Sequence, residues 1–71
     1  MNYYWIESGE YLKISVAATP REAAIKSFKH DEPENTDLIT EVRSWPDAEY
    51  KQRSVFFKTG ELLQDAGFLV D

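Results

Sequence analysis

Three features of the sequence predict an α+β fold: a small antiparallel sheet in the order β-β-α-β-β-α, with two helices packed on one face. Aromatic and β-branched residues crowd Tyr3 to Ala18 and two later stretches, a capping sequence opens a helix at Thr19, and a second short helix stops at Gly67. With 71 residues, of which 42% are hydrophobic and 30% charged, the chain is sized for a single domain, 1-71. A chain of this length buries only about 60% of the surface its unfolded form exposes, so oligomerisation is an expected source of further stability.

Residues 3–18 read as a hairpin, with Ser8-Gly9 as the turn. A two-residue loop there sets Trp5 opposite Leu12 and Tyr3 opposite Ile14. Side chains two apart share a face, so Tyr3, Trp5, Leu12, Ile14 and Val16 form one apolar face, expected to meet the helices. Tyr4, Ile6, Tyr11 and Lys13 form the other, which is unusually apolar for a surface left in water.

Thr19-Pro20-Arg21-Glu22 carries the signature of a helix start. Thr19 is placed to N-cap, Pro20 suits the first helical position, and Glu22 falls at the third. Ala24, Ile25 and Phe28 then share one side, while Arg21, Lys26 and Lys29 face water. Lys29 and His30 complement the negative end of the helix dipole. Pro33 blocks continuation, and residues 30–37 form a polar, acidic loop.

A third strand, Leu38 to Trp45, sets Leu38, Thr40 and Val42 on one face and Ile39, Glu41, Arg43 and Trp45 on the other. Pro46 to Glu49 supplies a turn, and residues from about Tyr50 to Lys58 form the fourth strand. Thr59 is a second N-cap candidate. Gly67 fits the left-handed position that ends a helix, with Leu63 and Phe68 spaced for the accompanying apolar contact. Leu69-Val70 is placed to pair at an edge or to cover the core.

Composition excludes several functions. There is no cysteine, so disulfides, thiolate zinc sites and cysteine nucleophiles are ruled out. Thirteen acids against eight Lys and Arg give a net charge of −5. That opposes general nucleic-acid binding and docking on anionic membranes. No apolar run approaches the roughly 20 residues of a bilayer span. Met1 to Trp5 lacks the regions of a signal peptide, and a cytoplasmic location is expected.

Catalytic patterns are missing too. Gly9, Gly60 and Gly67 are isolated, so there is no phosphate-binding loop, and none of the five serines sits in a nucleophile elbow. His30, the single histidine, reads as a helix-ending surface residue. Asp31, Glu32, Glu34 and Asp37 lack the spacing of a calcium loop. The stretch from Tyr50 to Lys58 interleaves bases with aromatics but lacks the signature of an RNA-binding sheet. No metal and no cofactor is expected.

Thr19-Pro20-Arg21-Glu22-Ala23-Ala24 and Thr59-Gly60-Glu61-Leu62-Leu63-Gln64-Asp65-Ala66-Gly67 resemble segments of small uncharacterised proteins common in phage and marine bacterial genomes. Those proteins also join an initial hairpin to a capped helix and a closing helical segment. The resemblance spans most of the chain and implies a viral or environmental origin, but no activity.

The sequence therefore points to a non-enzymatic interaction module, self-associating as a homodimer through the sheet face the helices leave bare. Tyr4, Ile6, Tyr11, Ile39 and Trp45, with Phe56 beside them, are the expected interface; Tyr and Trp are favoured at such sites. The alternative is an acidic inhibitor of a phage or mobile element that binds a nucleic-acid-binding host protein. It rests on the charge of −5 and the Asp31-Glu32-Pro33-Glu34 cluster. An active site assembled across a dimer is the remaining enzymatic reading.

Overall fold

The computed structural model describes residues 1–46 and 54–68. Six elements follow in order: β1 (Asn2–Ser8), β2 (Tyr11–Ala17), α1 (Pro20–His30), β3 (Ile39–Ser44), β4 (Val55–Lys58) and α2 (Thr59–Asp65). The strands form one antiparallel sheet in the order β2-β1-β3-β4. Since β2 and β3 both run against β1, they are parallel to each other and need a crossover. α1 supplies it, packing against β1, β2, β3 and α2. The turn expected at 46–49, the start of the fourth strand at 50–53 and the Leu69-Val70 segment lie wholly or partly outside the described residues.

The hairpin turn is Gly9-Glu10 rather than Ser8-Gly9. Gly9 has φ +60, the sign required at the first central position of a type II′ turn. Ser8 then closes the ladder opposite Tyr11, Trp5 pairs with Ile14, and Tyr3 pairs with Val16. The register has moved by two residues from the sequence expectation. A shift of two preserves which side chains share a face, so the predicted faces keep their membership.

Their orientation is reversed. Ile6 and Val42 are completely buried, and Tyr4 and Tyr11 are 7% and 6% exposed, whereas Tyr3 is 56% and Leu12 and Ile14 are each 49% exposed. The reason lies in how α1 approaches. It presents Ala23, Ala24, Ser27 and Phe28, all buried, and the two alanines bring its axis close to the sheet. The inward face suits that approach, carrying the small residues Ser8, Ala17 and Thr40 between its larger ones. Tyr11 also has a polar end to satisfy, and only the helix side does so. Its hydroxyl lies 2.5 Å from Ser27 Oγ and 3.3 Å from the Asp31 carbonyl, and its ring meets Phe28 edge-on at 5.2 Å.

α1 begins as its sequence dictates: the Glu22 amide donates to Thr19 Oγ1 at 3.2 Å. α2 begins differently. Thr59 is its first residue, not its cap, and Lys58 precedes it with no side-chain cap bond. The Thr59 hydroxyl turns inward, 2.8 Å from Thr40 Oγ1 and 3.4 Å from Ser8 Oγ, so three buried hydroxyls satisfy one another beneath the sheet. The far end of α2 ends as expected. Gly67 has φ +95, its amide donates to the Gln64 carbonyl at 3.1 Å, and the Phe68 amide donates to the Leu63 carbonyl at 2.8 Å. These are the paired bonds of a Schellman ending. Arg21 and Asp65 form an ion pair joining the two helices.

Candidate functional site

Both helices lie on the inward side, which leaves the opposite face of the sheet bare. Ile39, Trp45 and Phe56 sit there as expected, at 47%, 40% and 62% exposure. Tyr4, Ile6 and Tyr11 do not; they belong to the core, because α1 packs on the hairpin face opposite to the expected one. Tyr3, Leu12 and Ile14 take their place, with Trp5 half-buried among them. The bare face thus runs across all four strands and is built from seven large apolar side chains.

Its centre is a stack. The Trp5 and Trp45 rings lie 5.2 Å apart, tilted by 35°. The Arg43 guanidinium lies 5.1 Å from the centre of the Trp5 ring, a cation–π distance. Arg43 is directly across from Trp5 in the ladder, so cross-strand pairing holds the two together. Arg43 Nε is buried without a hydrogen-bond partner.

Glu7, Glu41, Arg43 and Lys58 also turn to this face, and among the described residues no ion pair joins them. Glu7 and Glu41 stand opposite each other in the ladder, an arrangement that repels. Each is given a donor: Trp5 Nε1 donates to Glu7 at 3.1 Å, and Ser54 Oγ donates to Glu41. Glu7 and Glu41 sit on the two middle strands, between Leu12 on β2 and Phe56 on β4, and divide the apolar face in two.

The acidic loop is tied down. The Glu10 amide donates to the Asn35 carbonyl at 3.0 Å, the Asp37 amide donates to Ser8 Oγ at 3.0 Å, and Asn35 Nδ2 donates to Glu10 at 3.3 Å. Asp31 pairs with Lys13 at 3.5 Å, both about half exposed. Among the described residues, no group of three or more His, Asp or Glu side chains is placed to hold a metal ion. None of the described helices is long and apolar enough to cross a membrane.

Of the basic and aromatic stretch from Tyr50 to Lys58, residues 50–53 lie outside the described residues. Within the rest, Phe56 points outward while Phe57 is half-buried, with the Arg21 guanidinium 5.9 Å from its ring centre. His30 is exposed at the end of α1, as expected. It lines a shallow groove between α1 and the outer edge of β2, together with Lys13, Lys26 and Lys29. The sequence reading put Lys26 and Lys29 in water and Lys13 on the hairpin face with Tyr4, Ile6 and Tyr11, and joined none of them into a site. The helical spacing of Lys26, Lys29 and His30 already grouped them, but their meeting with Lys13 depends on the packing of α1 over β2.

Burial raises the Tyr11 hydroxyl above its ordinary pKa, the Ser27 hydrogen bond opposes that rise, and the nearby Asp31 charge adds to it. This tyrosine is a core residue, and its shift reflects packing. Compared with protein-family models, curated proteins and solved structures, the chain matches none.

Proposed function

We propose that the chain is a non-enzymatic interaction module that self-associates as a dimer through the bare sheet face. The observation that carries this reading is two groups of exposed apolar side chains on one bare face, Tyr3, Leu12, Ile14 and Trp45 around Trp5, and Ile39 with Phe56. A two-fold contact that buries both groups removes more apolar area from water than either group alone, and a standard interface buries roughly 800 Å² per partner. Two-fold symmetry sets the same face of a second copy against this one, and the hydrophobic gain grows with the area removed from water.

A second reading, an acidic inhibitor that binds a basic nucleic-acid-binding protein, draws on exposed Glu32 and Glu34 beside the net charge of −5. Salt separates the two. An apolar dimer persists as ionic strength rises, whereas a complex made by those carboxylates loosens.

Light scattering over a concentration series tests the proposal. The dimer should form at micromolar concentration and persist in high salt, and Ile39→Ser/Phe56→Ser should shift the equilibrium to monomer without lowering the melting temperature of the fold. A wild-type chain that stays monomeric at its highest attainable concentration contradicts it.

A further inference from the structure

We propose that the outer edge of β2, together with the lysines of α1 beside it, is a docking site for an extended acidic segment of a partner protein, taken up as a fifth strand. Among the described residues β2 is an edge strand. Lys26 Nζ donates to the Val16 carbonyl at 2.9 Å from outside the sheet. Backbone groups alternate in direction along a strand, so Leu12, Ile14 and Val16 all turn theirs to that outer edge. The Leu12 and Ile14 groups are therefore aimed where an added strand would pair.

The flanks of the edge differ in chemistry. On the helix side stand Lys13, Lys26 and Lys29, three of the eight Lys and Arg in a chain of net charge −5. On the other side the groove is walled by Tyr3, Ile14 and Val16. An added strand sends alternate side chains to opposite faces. A segment alternating acidic with β-branched residues would thus place its carboxylates against the lysines and its apolar side chains against Tyr3 and Ile14. Asp31 also lines the groove and is paired with Lys13, so an incoming carboxylate competes with it for that ammonium. Lysines beside an edge strand can equally serve only to repel strand pairing. The two roles predict opposite results.

The test is a titration of the isotope-labelled Ile39→Ser/Phe56→Ser chain with a capped six-residue peptide alternating Glu and Val, followed by amide NMR. Using the variant with the altered bare face keeps this result separate from the dimer proposal. Saturable binding should move the Leu12, Ile14 and Val16 amides and slow their exchange. Affinity should fall about tenfold or more in Lys26→Glu/Lys29→Glu and recover in Lys26→Arg/Lys29→Arg. Methylating alternate backbone nitrogens of the peptide, so that it cannot pair, should abolish binding. No binding at millimolar peptide, equal binding of the methylated peptide, or indifference to charge reversal at positions 26 and 29 would each overturn the proposal.

Discussion

The carbonyl oxygen of Asn35 lies against the backbone of Gly9, inside the contact distance of the β-carbon that any other residue would carry there. The loop after α1 and the first hairpin turn therefore fit together only because position 9 has no side chain. Gly9→Ala meets two penalties, a positive φ costing about 1–2 kcal/mol and a collision with a main-chain atom that cannot swing aside. Urea denaturation should show a loss above about 2 kcal/mol. Hydrogen exchange at the Glu10 amide, bonded to that same carbonyl, should speed up more than exchange in α2.

The orientation of the hairpin is testable by matched substitutions on its two faces. Ile6→Ala empties a fully buried site and should cost about 2–5 kcal/mol. Ile14→Ala, on the half-exposed side, should cost under about 1 kcal/mol when measured on dilute protein. Equal costs, or the reverse order, would return the helices to the face first expected from sequence.

Tyr11 gives a pH signature. Its folded pKa lies above the unfolded value of 10.0, so folding favours the neutral phenol. The stabilisation is fully present below the unfolded value and is lost as pH rises through the folded one. Ultraviolet titration of the folded protein should show a phenol ionising above 10.0, and Tyr11→Phe should remove that step. The same variant deprives buried Ser27 of its 2.5 Å partner and should cost about 1–2 kcal/mol.

The two glycines of the last helical segment should respond in opposite senses. Gly60 lies within α2 with open space around its α-carbon, and Gly60→Ala should stabilise by about 0.5–1 kcal/mol. Gly67 holds φ +95 in the Schellman ending, and Gly67→Ala should destabilise by about 1 kcal/mol. Thermal melts of the two variants should move in opposite directions.

What the sequence made legible was what neighbouring residues decide. The Thr19 cap and the ending formed by Leu63, Gly67 and Phe68 need only a few adjacent residues, and both formed as their spacing implies. Thr59 has the same capping chemistry as Thr19, yet Thr40 and Ser8, distant in sequence, draw its hydroxyl into the core. The hairpin faces were legible as sets, since an alternation survives a register shift of two. Their orientation was not, because both sets are rich in large apolar residues and counting them does not choose between faces. The choice was made by Ala23, Ala24 and Ser27 on α1, which fit small neighbours and a tyrosine hydroxyl better than the bulky face of Tyr3, Trp5, Leu12 and Ile14. Ile39 and Trp45 share a face with Glu41 and Arg43, and Thr40 and Val42 turn inward, as the alternation of the third strand implies; Leu38, expected to join the inward set, precedes the strand and is exposed.

The central claim, that a second copy covers the bare face, is tested most directly by isotope-filtered NMR on an equal mixture of labelled and unlabelled chains. Contacts between copies should connect the rings of Trp45 and Phe56 with the side chains of Ile14, Ile39 and Tyr3. A mixture with no contacts between copies, or with contacts confined to Lys26, Lys29 and the helical side, would contradict it.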